Sequence, residues 1–140
     1  LKVVATLSSR EGERLISDEI SGGSYDAVIV ATNMTSEKCT FTSLSVPAVY
    51  LNCRPQDESS VIAVLPDDYD NASRMAQALA PHYRHPLIIG GDAWMKATRD
   101  RIKAITEVYA AQNISLLPDD IQYCSWSFRE ACSIVMERLR

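Results

Sequence analysis

Apolar and polar positions alternate along the chain in blocks that read as strands and helices in turn. Residues 2–7 are a run rich in β-branched side chains and predict a buried strand. Ser8 with Glu11 has the spacing of a capping box, ahead of a helix whose apolar positions are Leu15, Ile16 and Ile20. Gly22 and Gly23 end that helix. Residues 26–31 form a second strand around Val28, Ile29 and Val30, and so continuous an apolar run predicts burial on both faces, as in parallel sheets. After a polar stretch over residues 32–45, Pro47 opens a third strand over residues 47–51. A turn-rich segment over residues 54–60 precedes a short fourth strand at 61–65, which Pro66 stops.

The second half repeats the pattern with stronger helices. Ala72, Met75, Ala76 and Leu79 share one helical face, and that helix ends by Pro81. Residues 87–89 are a strand closed by Gly90 and Gly91. Ile102, Ile105 and Tyr109, with Val108 beside them, mark a helix over residues 97–112. The last strand covers residues 121–124. Ser127 and Glu130 then have the spacing of a second capping box, and Phe128, Ala131, Cys132, Val135 and Leu139 make the clearest amphipathic stripe in the chain. Such alternation predicts an α/β fold with mostly parallel sheets and right-handed crossovers.

Length and charge narrow the function classes. A chain of 140 residues suggests one domain with a real core. Against that, a polar loop, a short strand and the acidic cluster Asp67, Asp68 and Asp70 lie between the third strand and the helix at Ala72. They read as a crossover between two lobes, and clefts between lobes are favoured ligand sites. With 14 Lys and Arg against 18 Asp and Glu, the net charge of −4 offers no footprint for a phosphate backbone, so these residues themselves are not expected to hold nucleic acid. Apolar runs reach only about five residues, as at 27–31, so no membrane span is expected. Residues 1–7 lack the pattern of a secretory signal and read as a strand. Cys39, Cys53, Cys124 and Cys132 are widely spaced, which fits free thiols in a cytoplasmic protein better than two disulfides in a secreted one. With His82 and His85 the only histidines and neither close to a cysteine, no metal site is expected.

Catalytic and cofactor motifs are missing. The chain has no G-x-S-x-G, no G-x-x-x-x-G-K-[ST] and no G-x-G-x-x-G, and Gly90-Gly91 reads first as a tight turn. His82 and His85 flank Tyr83 and Arg84 in a polar loop without an evident acid or base partner. No cofactor and no enzymatic activity are therefore expected. Three residues at element ends are more informative. Asp70 begins a helix, Arg101 lies in the first turns of the next, and Trp126 follows the last strand, all toward the rim where open α/β sheets bind ligands. A carboxylate and a guanidinium can hydrogen-bond hydroxyls or carboxylates, and an indole can stack on a sugar or base. Each also has a plain structural reading: Asp70 as a helix cap, Arg101 as a surface partner of Asp100 or Glu107, Trp126 as core.

Five segments in order resemble a known family. Tyr25-Asp26-Ala27-Val28-Ile29 is similar to a "vDGiI" strand. Residues 45–52, Ser-Val-Pro-Ala-Val-Tyr-Leu-Asn, are similar to "iPvVlvn", and residues 64–72 to a "VxxDNxxGA" crossover. Residues 83–91 stand where "HRRIAFIGG" is expected, and Arg101-Ile102-Lys103-Ala104-Ile105 where "RxxGF" is expected. These are the motifs of the effector-binding core of LacI-family transcriptional regulators, which is related to periplasmic sugar-binding proteins. The resemblance implies a periplasmic-binding-protein-like α/β fold of two Rossmann-like lobes with parallel sheets, incomplete at both ends. Residues 1–66 would then be part of the amino-terminal lobe and residues 67–140 the first half of the carboxyl-terminal lobe. It implies a small effector, whether sugar, nucleobase or small acid, held by Arg101, Trp126 and Asp70, with Asp67 competing for the family's aspartate position. It further implies a homodimer, with apolar residues between Met34 and Leu44 as candidates for its face, and operator DNA bound by a domain outside this chain. His82-Tyr83, Asn71 and Ala104-Ile105 depart from the pattern, so the effector is not read by analogy. The alternatives are a periplasmic sugar-binding protein of a transport system and a small flavodoxin-like or Rossmann-like enzyme.

Overall fold

The computed structural model describes residues 10–23, 25–31, 44–53 and 62–140. The chain divides into two compact units, Leu1–Pro66 and Asp67–Arg140. The expected first strand at 2–7, the box at Ser8 and Glu11, residues 34–43 of the expected dimer face and the segment 54–60 lie outside the described residues or have side chains outside them.

Among the described residues of the first unit, α1 (Arg10–Ser21) precedes three strands, β1 (Val28–Ala31), β2 (Ala48–Leu51) and β3 (Ile62–Val64). They form one parallel sheet in the order β1-β2-β3, with Val30 opposite Tyr50 and Tyr50 opposite Ala63. Parallel neighbours need long connections, which is why the segments between these strands are long and polar. Tyr50 and Cys53 are fully buried, packed by Val30, Leu44 and Ala48. β1 departs from the two-sided burial its sequence predicts. Val28 and Val30 are half-buried, while Ile29 is 71% exposed, so one face carries the packing among the described residues.

The second unit contains α2 (Asp68–Leu79), β4 (Ile88–Gly90), α3 (Lys96–Ala111), a 3-10 turn (Pro118–Asp120), β5 (Ile121–Tyr123) and α4 (Phe128–Arg138). β4 and β5 are parallel, Ile88 facing Ile121 and Gly90 facing Tyr123. The core lies between α2 and α3. Ala72, Ala76 and Ala80, one residue per turn, meet Ala104, Ile105 and Tyr109, with Ile114 closing the end. Small side chains let two helices approach closely, so the packing face of α2 is its alanine stripe, whereas Met75 and Leu79 of the expected stripe are partly exposed. α3 ends in a Schellman motif. Asn113 takes the left-handed position (φ 59°), and the Asn113 and Ile114 N–H groups bond the carbonyls of Ala110 and Tyr109 at 2.9 and 3.0 Å. Asn is the commonest substitute for Gly there because its short polar side chain tolerates that conformation.

α4 also differs from expectation. Its apolar stripe is left largely exposed: Phe128 is 85% and Leu139 77% exposed, Ala131 is half-buried, and no residue of the helix is fully buried. A two-stranded sheet is too narrow to cover a helix of this length. The helix is tied down by ions instead, Arg138 reaching the nearly buried Asp120 at 3.0 Å while Asp120 also accepts the Leu117 N–H at 2.8 Å. No helix among the described residues is long and apolar enough to cross a membrane.

Candidate functional site

The site is built at the ends of β4 and β5, in the second unit alone. After β4 the chain turns through the buried Gly91 and reaches Met95, the residue that precedes α3. Arg101, in the second turn of α3, extends to Asp68 at the start of α2. Its Nε and Nη2 both donate to Asp68 Oδ1, at 2.8 and 2.6 Å. Asp68 is well placed to anchor that guanidinium, because a carboxylate in the first turn of a helix is favoured by the positive end of the helix dipole. Its side chain is only 10% exposed, against 44% for Arg101, so the guanidinium is anchored at one edge and open at the other.

Trp126 follows β5, and its ring centroid lies 6.0 Å from the Arg101 guanidinium carbon, within cation–π range. Trp126 as a whole is 57% exposed and is therefore not core. Its backbone sits at φ 57°, left-handed and costly for a bulky residue. Two flanking contacts hold that geometry. Ser127 caps α4 by accepting the Glu130 N–H at 3.3 Å, and the Glu130 carboxylate accepts the Ser125 N–H and Oγ–H, both at 2.8 Å. The expected capping box is thus half formed: Glu130 reaches past Ser127 to Ser125, because the left-handed residue between them turns the Ser125 donors toward it.

Those two bonds from Ser125, the backbone one first, hold the Glu130 carboxyl below its ordinary value. A depressed carboxylate contributes stability that is fully present above its unfolded-state value and is lost as the pH falls through the folded-state value. Stability at the start of α4 should therefore decline in acid, from about pH 4.5 downward. Glu130→Gln is expected to lower the melting temperature slightly at neutral and alkaline pH, where that contribution is fully present, and so to flatten the acid limb by a small amount, as measured by melting temperature against pH. An equally steep acid limb in the variant would remove Glu130 from this role.

Of the three residues singled out from sequence, the structure brings together Arg101 and Trp126. Asp70 lies in the first turn of α2 and pairs with Arg74 one turn on, at 2.8 Å. The cap of α2 is Asp67, whose Oδ1 accepts the Asp70 N–H at 2.9 Å, so the helix begins before Asp70 and not at it. Asp100, weighed as a partner of Arg101, pairs with Lys96. Sequence reasoning missed Asp68, Gly91 and Met95. Asp68 stood in the acidic cluster, but nothing local distinguished it from its two neighbours. His82 and His85 are exposed. Among the described residues no group of three His, Cys, Asp or Glu side chains is placed to hold a metal ion.

No protein-family model matches the sequence, and no curated protein matches it. Solved structures do. A chain described as a LacI-family transcriptional regulator from Rhizobium etli aligns with a TM-score of 0.66 at 22% identity, over 83% of this chain and 41% of that one. The transcriptional regulator CelR, solved as a complex with cellobiose, aligns with a TM-score of 0.72 at 21% identity, over 98% of this chain and 43% of its own. A LacI-family sugar-binding transcriptional regulator from Escherichia coli, complexed with phosphate, aligns with a TM-score of 0.65 at 18% identity, over 91% and 48%. The likeness establishes the fold: the chain has the periplasmic-binding-protein-like α/β architecture of these regulators, and it spans less than half the length of each.

Proposed function

We propose that this chain is the effector-sensing part of a LacI-type DNA-binding transcriptional regulator. Residues 1–66 belong to its amino-terminal lobe and residues 67–140 to the first half of its carboxyl-terminal lobe. It is a cytoplasmic sensor and not an enzyme. A small molecule bound at Arg101 and Trp126 changes operator affinity, and the operator is held by a domain outside these residues in a homodimer. Such a switch requires the effector to bind the two states with different affinity. The free thiols of Cys53, Cys124 and Cys132 suit a reducing compartment.

The observation that carries this reading is the guanidinium of Arg101, fixed by Asp68 and set beside an exposed indole. It also narrows the ligand. A guanidinium has five N–H donors, and Asp68 engages two of the N–H groups while balancing the positive charge. What remains is a neutral array of donors next to an apolar ring. A sugar offers hydroxyls to the first and a C–H face to the second, whereas an acid meets the Asp68 carboxylate without a free positive charge to offset it. Asp70, paired with Arg74, would act only by exchanging that partner for the ligand.

A thermal-shift screen of neutral mono- and disaccharides (cellobiose among them), nucleobases and small carboxylic acids tests the proposal. A ligand at 100 times its Kd stabilises by about 2.7 kcal/mol, a readily measured rise in melting temperature. Stabilisation by a sugar is the expected result. Stabilisation by acids alone would overturn the assignment of a neutral effector, and stabilisation by none of the three classes would overturn the sensor reading.

A further inference from the structure

Trp126 makes two contacts that no reading of Arg101 or Asp68 explains. Its Nε1–H points at the sulfur of Met95, 3.1 Å away, and Met95 is itself 4% exposed. On its nitrogen-bearing side the ring also lies so close to Gly91 that a Cβ there would stand 2.3 Å from Cε2, 2.5 Å from Cζ2 and 2.6 Å from Nε1. No carbon tolerates such distances. Gly91 does not have a left-handed φ, so the backbone itself makes no demand for glycine at this position. What requires the missing side chain is room for the indole.

We infer that Gly91 and Met95 form a socket that positions the Trp126 ring, holding its nitrogen edge inward and presenting the rest of the ring to the effector. This rests on the reading of Trp126 as part of an effector site. The chemistry of the socket sharpens that site's selectivity. An indole has a single N–H and no acceptor. With that donor turned to the Met95 sulfur, Trp126 recognises its ligand through the apolar ring alone, and all hydrogen bonding from this corner of the site falls to Arg101. The preferred ligand is therefore one with a flat C–H or π face on one side and hydroxyls or carbonyls at its edge. Gly91 and Met95 are positioning residues: neither needs to touch the effector. A thioether is a weak acceptor, so the pose depends on the space at Gly91 more than on the strength of the bond to sulfur.

The chain has two tryptophans, so the indole N–H signals in a ¹⁵N–¹H spectrum are two, and Trp94→Phe identifies the one from Trp126. Gly91→Ala is expected to shift that signal toward the free-indole position and to speed its exchange with water by tenfold or more, with the amide spectrum of α2 and α3 preserved. Met95→Leu keeps the volume but removes the acceptor, and should move the Trp126 signal toward the free-indole position while speeding its exchange less than Gly91→Ala does. It is the second route to the answer if Gly91→Ala does not fold. An unmoved Trp126 signal in whichever variant folds overturns the socket. Titration with cellobiose in the same samples separates this from the functional reading. If Trp126 responds to cellobiose in the Trp94→Phe protein, Gly91→Ala should weaken binding at least tenfold. It should do so much less when combined with Trp126→Phe, which lacks the atoms that collide. Equal losses in the two backgrounds would overturn the positioning role. If neither cellobiose nor any other ligand of the thermal-shift screen binds, the effector assignment falls while the exchange result still decides the socket.

Discussion

Replacing Arg101 with alanine is expected to weaken effector binding by about 10- to 100-fold, from the roughly 1.5–3 kcal/mol carried by hydrogen bonds to a charged group. The structure adds a stability cost that sequence spacing alone does not suggest. Asp68 is 10% exposed at its side chain and faces Arg101 with one oxygen at 2.8 and 2.6 Å. Without the guanidinium it is a nearly buried carboxylate with its principal partner removed. Because Arg101 is itself 44% exposed, water and ions moderate the loss, and about 1–2 kcal/mol is the expected scale. Two further variants separate binding from stability. Arg101→Lys keeps the charge but loses the planar fork, so it should retain most of the stability and still lose much of the affinity. Asp68→Asn leaves the guanidinium uncompensated, and should shift preference from neutral sugars toward ligands bearing a carboxylate. Calorimetric titration of the wild type and the three variants, with a sugar and its corresponding sugar acid, reads both quantities. Unchanged affinity in Arg101→Ala would remove Arg101 from the site. Unchanged selectivity in Asp68→Asn would show that Asp68 does not set the ligand's charge.

Asp68 also marks the boundary of what was legible in the sequence. The order of elements was, because parallel strands are short apolar runs between long connections, and Val28–Ala31, Ala48–Leu51 and Ile88–Gly90 each fall within a residue or two of the expected spans. Arg101 and Trp126 were legible as rim residues because their places at element ends follow from the alternation itself. The choice among Asp67, Asp68 and Asp70 was not. All three lie within one turn, and which one points at α3 depends on the phase of α2 against a helix 33 residues away. That phase is set by the alanines at 72, 76 and 80, which carry little hydrophobicity, while the conspicuous Met75 and Leu79 stay partly exposed. The Trp126 pose was hidden for a related reason. A left-handed tryptophan contradicts local preference, and it is held by Glu130 on one side and by Gly91 and Met95 on the other. Gly91 read as a turn residue, since the feature that needs it lies 35 positions later in the chain. The stripe of α4 was legible as amphipathic, but periodicity shows only that a face is apolar and says nothing of what covers it.

The largest stability loss is expected from Tyr109→Ala. Tyr109 is 2% exposed at the carboxyl end of α3, where it packs with the alanines of α2 and with Ile114. Removing a buried aromatic ring costs about 3–5 kcal/mol, a transfer contribution plus the cavity left behind. Collapse of the cavity is opposed here. The alanines of the cluster at 72, 76, 80 and 104 have no side chain to swing in, and Ile114 is pinned by its N–H to the Tyr109 carbonyl at 3.0 Å, within the motif that ends α3. The cost should therefore fall at the upper end of that range, comparable to the whole stability of a small unit. For a unit of this size it corresponds to a drop in melting temperature of about 15 °C or more. Tyr109→Phe keeps the ring and should lose far less, which separates packing from the hydroxyl. Denaturant unfolding gives the magnitude, and amide hydrogen exchange gives the place: protection should vanish across α2 and α3. Because α2 carries Asp68 and α3 carries Arg101, the effector response should disappear with it although Tyr109 is not one of the site residues. A loss below about 1 kcal/mol would mean that α2 and α3 are not held together by this core.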